Sequence, residues 1–191
     1  MTAAKEAGVR KARPGDAGAI AAVHIESSQD AYAPLAKEWP APDRTAREAR
    51  WLTRLQTNGE EDPTRIDLVA ELAGSVVAFV SAGSARRKDE GPEVEIYVIH
   101  VLPKYRGKGI GSALWIKASE HVRGQTLLPM YVETLAELRC CSFYEAHGGQ
   151  VARRNPRIFH GGAVTELIYI WPFGHSSDVR SGTVGDFYTE D

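Results

Sequence analysis

The segment Arg106-Gly107-Lys108-Gly109-Ile110-Gly111-Ser112 holds residues whose types and spacing suit a definite chemistry. Glycine has no Cβ to block a close approach and tolerates positive φ, so alternating glycines can turn several backbone N–H groups toward one point. The residues that follow, 112–118, read as a helix, and the N-terminal end of a helix favours an anion. Arg106 and Lys108 add two positive charges at the rim. Such a segment is suited to holding a phosphate or pyrophosphate.

Phosphate loops of three kinds have comparable spacing. A nucleoside-triphosphate loop needs Lys followed by Ser or Thr at a fixed offset, which this chain lacks. A dinucleotide fingerprint needs Gly-x-Gly-x-x-Gly early in a βαβ unit, whereas here the spacing is Gly-x-Gly-x-Gly past the middle of the chain. The third pattern, Arg/Gln-x-x-Gly-x-Gly/Ala, is met position for position by Arg106, Gly109 and Gly111. A glycine-rich strand-to-helix turn without a ligand is the remaining reading, and the loop by itself leaves the choice open.

The elements that must position this loop follow from hydrophobic periodicity and breakers. Residues 9–12 form a strand candidate, and Asp16 is an N-cap candidate for a helix carrying Ile20, Val23 and Ser27. Pro34, Pro40 and Pro42 make residues 32–42 loop-like. Asp43 can cap a second helix, with Ala49, Leu52 and Leu55 at helical spacing and Asn58-Gly59 as its stop. Residues 66–72 and 76–85 about the Ala73-Gly74 turn read as an antiparallel hairpin, and 93–101 as the next strand. After the loop and its helix come a strand over 130–134, a helix over 136–147, and strands over 150–154 and 163–171 around a turn-rich 155–162. The order β-α-α-β-β-β-α-β-α-β-β predicts a mixed α/β domain (α+β, one mixed sheet), neither doubly wound nor a β-barrel.

Length and composition bound the rest. A chain of 191 residues, 43% apolar and 25% charged, suits one soluble globular domain, expected over 8–173, with an N-terminal extension over 1–7 and a polar tail over 174–191. A net charge of −2 argues against a nucleic-acid partner, which calls for a basic excess. No apolar run approaches the roughly 20 residues of a membrane span, and residues 1–8 lack a secretory signal, so no membrane partner and a cytoplasmic location are expected. Cys140 and Cys141 are adjacent, which suits neither a structural disulfide nor a spaced metal site; no metal is expected.

Taken together, these segments resemble the GCN5-related N-acetyltransferase (GNAT) family over roughly residues 8–173. The resemblance is carried by the opening strand and helix, the hairpin over 68–80, the run Val101-Leu102-Pro103-Lys104-Tyr105-Arg106 with its glycine loop, Phe143-Tyr144-Glu145, and the closing strand over 165–171. It implies acetyl-CoA as cosubstrate. His100, Val101 and Leu102 would lie beside the thioester, and Arg106, Gly107, Lys108, Gly109, Ile110, Gly111 and Ser112 would take the pyrophosphate. The family's usual Asn, seven residues before the tyrosine, is Glu137 here, and an ionised carboxylate cannot supply the amide's donor.

The resemblance also implies roles in the reaction. Attack on a thioester needs a neutral amine, and the departing thiolate benefits from a general acid. Tyr144 is the candidate acid, with a core tyrosine as the plainer reading. Glu95, six residues before Val101, is the candidate base or a group that binds a cationic acceptor. Simple strand alternation places Glu93, Glu95, Tyr97, Ile99 and Val101 on one face. Glu133 and His100 are lesser candidates, and Cys140 and Cys141 are not nucleophiles in direct transfer. Tyr32, Trp39, Trp51, Glu26 and Asp30 are candidate acceptor-pocket residues. The expected acceptor is a small-molecule primary amine; a protein N-terminus or lysine, and a non-catalytic acyl-CoA-binding module, are the alternatives. A homodimer is common in the family.

Overall fold

Alternation of apolar residues along five central strands requires cover on both faces of the sheet. A computed structural model of the chain, describing residues 7–57, 62–86, 94–126 and 129–171, shows how that cover is arranged. The strands are β1 (Gly8–Lys11), β2 (Ile66–Leu72), β3 (Ser75–Ser84), β4 (Val94–Val101), β5 (Met130–Leu135), β6 (Gln150–Phe159) and β7 (Gly162–Trp171). The helices are α1 (Ala17–Tyr32), α2 (Arg44–Gln56), α3 (Ile110–Gln125) and α4 (Cys141–Ala146). The sheet runs β1-β2-β3-β4-β5-β7-β6, and only β4 and β5 are parallel. The mixed α/β architecture and element order match the expectation.

One face buries Leu68, Ala70, Ala78, Val80 and Ile96 against Ile110, Leu114, Trp115, Ala118 and Val122 of α3. The opposite face buries Val69 and Phe79 against Ile20, Ala21 and Val23 of α1 and Trp51 of α2. Each fully buried side chain of this size contributes about 1.5–3 kcal/mol.

Several local readings change. Asp16 does not cap α1 through its side chain; its carboxylate accepts from Arg13 N at 2.7 Å and from both terminal nitrogens of Arg10. That pairing with Arg10 holds the Asp16 carboxyl below its ordinary pKa. Asp43 does cap α2, accepting from Ala46 N at 2.8 Å. The face of α2 is not the expected Ala49-Leu52-Leu55 stripe: Ala49 and Leu52 are exposed, and Trp51 is the buried residue. Polar contacts complete the docking, with Arg54 Nε donating to Asp67 at 2.8 Å and its Nη2 to the Ala82 carbonyl at 3.1 Å. The fourth helix is only Cys141–Ala146, because residues 136–140 form turns. Strand β6 continues to Phe159, so residues 155–159 are strand and the turn is His160-Gly161 alone. The Asn58-Gly59 stop and the tail over 174–191 lie outside the described residues.

A β-bulge alters the reading of β4. Ser81 pairs with Val98 and Ala82 with Ile96, so Tyr97 is the extra residue. A bulge puts two residues against one and breaks the period-2 alternation. Ile96, Ile99 and Val101 therefore pack on the α3 face, while Glu95 lies on the α1/α2 face with its hydrogen-bond partner Tyr131. The expected common face for Glu95, Ile99 and Val101 does not form.

Candidate active site

Strands β4 and β5 pair only at Val94–Met130 and Glu95–Tyr131. Beyond Glu95 they diverge, which leaves the β5-facing backbone edge of Ile96–Val101 without a strand partner among the described residues. The end of β4 is tied down from α1: Ser27, fully buried, donates from Oγ to the Val101 carbonyl at 3.2 Å. Arg106 Nε donates to the same carbonyl at 3.1 Å and its guanidinium pairs with Asp30. Arg106 is thus anchored inward, and Asp30 serves as its partner rather than lining a pocket.

The glycine loop follows a short turn over Pro103–Tyr105. Gly107 and Gly109 have φ of 70° and 81°, and Gly109 is the N-cap of α3. A left-handed N-cap leaves the first-turn amides of Ile110, Gly111 and Ser112 outside the intrahelical ladder and directed at the space before the helix. The ammonium groups of Lys104 and Lys108 lie 5.1 and 5.4 Å from the Tyr105 ring centroid, so two cations flank the loop. Beside it, Gly111 leaves ordinary contact distance to Phe143 and Val101. This cradle fits a pyrophosphate in charge and in backbone donors.

Tyr144 is 5% exposed and packs edge-on to Trp115, Phe143 and Trp171. Burial is the main cause that drives its phenol pKa well above 10, and Cys140 and Tyr32 are its nearest electrostatic neighbours. The phenol therefore keeps its proton. Its hydroxyl makes no hydrogen bond among the described residues.

Glu95 has a different setting from that of an open base. It is 1% exposed and accepts from Tyr131 Oη at 3.0 Å, Arg86 N at 3.1 Å and Arg86 Nε at 3.0 Å, with a further contact from the same guanidinium. Its oxygens are saturated by donors. Glu137 likewise is turned to structure, accepting from Thr165 N at 2.9 Å.

On the α1/α2 face a cavity of about 560 Å³ opens between α1, α2, β5 and the β6–β7 hairpin. That volume falls within the range of small-molecule sites. Tyr32, Trp39, Phe159 and His160 form an aromatic wall, and Arg47, Arg50, Glu133, Arg157 and Glu166 supply charge. The hairpin is docked by its turn: Lys37 N donates to the His160 carbonyl at 2.9 Å, and a Cβ at Gly162 would overlap the Leu35 carbonyl oxygen. Ser28 lines the cavity and its Oγ lies 3.4 Å from His100 Nε2. Tyr32 and Trp39, two of the candidate pocket residues, line this cavity. Trp51 is instead a core residue, 7% exposed, that donates from Nε1 to His24 Nδ1 at 3.3 Å, and Glu26 lies at a separate cleft.

His24 and His100 lie against each other, tilted by 40° with ring centroids 5.1 Å apart. Burial, reinforced by the Arg47 charge, lowers His24 to a pKa of about 4; burial, His24 and nearby arginines lower His100 to about 3. Both rings are neutral near pH 7. Sequence reasoning missed His24, Ser28, Arg47 and Arg50; the signal for the arginines is their three-residue spacing, which puts both on one face of α2.

Two strands that part beside a glycine-capped helix form an arrangement that other proteins share. Residues 26–148, more than half of the chain, match the Acetyltransferase (GNAT) family. The chain belongs to the GNAT family. It is similar to N-acetyltransferase YuaI of Bacillus subtilis (strain 168), itself uncharacterized, at 25% identity over 170 residues that span 86% of this chain and 92% of that protein. An N-acetyltransferase from Staphylococcus aureus Mu50 shares the fold with a TM-score of 0.72 at 20% identity, over 88% of this chain and 99% of that one. The acetyltransferase yncA of Salmonella typhimurium, solved with its cofactor acetyl-CoA, superposes with a TM-score of 0.69 at 18% identity, over 92% and 99% of the two chains. The GNAT protein described here is accordingly an acetyltransferase that draws on acetyl-CoA. None of its described helices is long and apolar enough to cross a membrane.

Proposed function

We propose that this GNAT enzyme transfers the acetyl group of acetyl-CoA directly to a primary amine of a small molecule held in the cavity between α1, α2 and the β6–β7 hairpin. The observation that carries the reading is the divergence of β4 from β5 after Glu95, with the glycine cradle at one end and the cavity joined to it through Ser28 and His100. The thioester supplies an activated acetyl group. The loop over 106–112 holds the pyrophosphate by backbone donors, and the unpaired edge of β4 near His100 and Val101 aligns the arm that carries the thioester.

In the transfer the amine nitrogen forms a bond to the carbonyl carbon and the C–S bond breaks. Tyr144 gives its proton to the departing sulfur; its high pKa keeps it protonated until a thiolate develops. The ammonium loses one proton to water in the cavity before attack, and the nitrogen loses a second as the tetrahedral intermediate collapses, which restores the Tyr144 phenol through solvent. Glu95, closed off by Arg86 and Tyr131, positions the strand at the point of divergence. No enzyme nucleophile is needed.

The test is thiol release from acetyl-CoA across a panel of small primary amines and peptides. Turnover with small amines supports the reading. Coenzyme binding without release for any amine would make the chain a binding module, and turnover with peptides alone would make it a protein acetyltransferase.

A further inference from the structure

The charges around the acceptor cavity are distributed unevenly. Of the three arginines that line the cavity, Arg157 meets a carboxylate, Glu166. Arg47 and Arg50 do not: both line the cavity, and neither side chain has an ion pair or hydrogen bond among the described residues. They lie three residues apart on one face of α2, and Arg47 is half-buried. Across from them, β5 and β7 contribute Glu133 and Glu166, the latter paired with Arg157. The cavity therefore has two guanidiniums without an ion pair among the described residues on α2, beside the Asp43 carboxylate that caps the same helix, and an aromatic side formed by Tyr32, Trp39 and Phe159.

We infer that the acceptor is a small amine that also carries an anionic group, of the free amino-acid kind, with its carboxylate held by Arg47 and Arg50 and its carbon skeleton against the aromatic side. This rests on the transferase reading above and narrows it. Guanidinium is the group that recognises a carboxylate in two-pronged fashion, and two cavity-lining guanidiniums, Arg47 half-buried and Arg50 exposed at the rim, neither with an ion pair among the described residues, are the feature such an acceptor satisfies. A polycation such as a polyamine would have to face both guanidiniums, and a neutral alkylamine would leave them unpartnered.

The experiment uses the full chain with acetyl-CoA and a panel of the free L-amino acids, the carboxamides of those accepted, an alkylamine and spermidine. The expected result is turnover of one or more free amino acids, with kcat/KM for the matching carboxamide lower by about 30-fold, as loss of a charge-assisted hydrogen-bond pair implies. Arg47→Gln and Arg50→Gln should compress that acid-to-amide ratio below about threefold, chiefly through KM for the acid. Calorimetric binding of the N-acetyl amino acid and of its amide, in the presence of coenzyme A, reads carboxylate recognition without turnover. Equal binding of the acid and the amide, or preference for spermidine or the alkylamine with every free amino acid refused, overturns the inference while leaving the transferase intact. Absence of thiol release with every amine instead overturns the transferase reading as well.

Discussion

Ser28 Oγ lies 3.4 Å from His100 Nε2, and through this contact the cavity on the α1/α2 face meets the end of strand β4 where it has parted from β5. One turn of α1 thus meets the strand end, the glycine loop and the cavity: Ser27 donates to the Val101 carbonyl, Asp30 pairs with Arg106 of the loop, and Ser28 lines the cavity.

Gly109 adopts φ 81° at the start of α3. A valine there costs about 1–3 kcal/mol in backbone strain and carries branched methyls toward the anion. Gly109→Val should weaken coenzyme A binding by at least about tenfold by calorimetry while the fold, followed by circular dichroism, is kept. Unchanged affinity would remove the loop from the coenzyme site.

Tyr144 has a protonated phenol without a hydrogen-bond partner among the described residues. Tyr144→Phe should lower kcat by about 10²-fold, the low end for loss of a general acid, and leave KM for acetyl-CoA within about twofold. Full activity in steady-state assays would return Tyr144 to the status of a core aromatic.

Glu95 is enclosed by Tyr131 and by Arg86, whose side chain is 61% exposed. Breaking a fully buried pair costs about 3–5 kcal/mol, and the exposure of Arg86 brings the expectation for Glu95→Gln down to about 1–3 kcal/mol. Urea unfolding measures this loss. The pH–rate profile of the variant should keep its rising limb; a limb that disappears would identify Glu95 as the base.

His24 and His100 titrate at about 4 and about 3 in the folded chain, below the ordinary 6.5. Between those values the unfolded chain binds more protons than the folded one. Stability is therefore complete above about pH 6.5 and falls as pH drops toward 3, by up to ~1.4 kcal/mol per pH unit for each histidine. His100→Phe should roughly halve the slope of unfolding free energy between pH 6 and 4.5. The same slope in the variant would mean that His100 is protonated without penalty.

Much of this was legible in the chain. The glycine loop announces itself because positive φ and close backbone approach are properties of residue type, visible without partners. The hairpin at Ala73-Gly74 and the cap at Asp43 are equally local. The bulge at Tyr97 was not, because β4 reads as a regular strand until β3 is laid beside it. For the same reason Glu95, placed by alternation with Val101, turned out to face the other side of the sheet. The reach of β6 to Phe159 was hidden by Asn155 and Pro156, which read as turn residues but are accommodated on an edge strand.

By itself the sequence determined the order of elements and the glycine loop at the start of α3, since each depends on residues near one another in the chain. Tertiary structure decided where β4 and β5 part, which carboxylates are already spent on arginines, and which two arginines are left facing the cavity. Those outcomes depend on pairing and burial between segments as distant as Arg47 and Glu166, and no single stretch of chain contains that information.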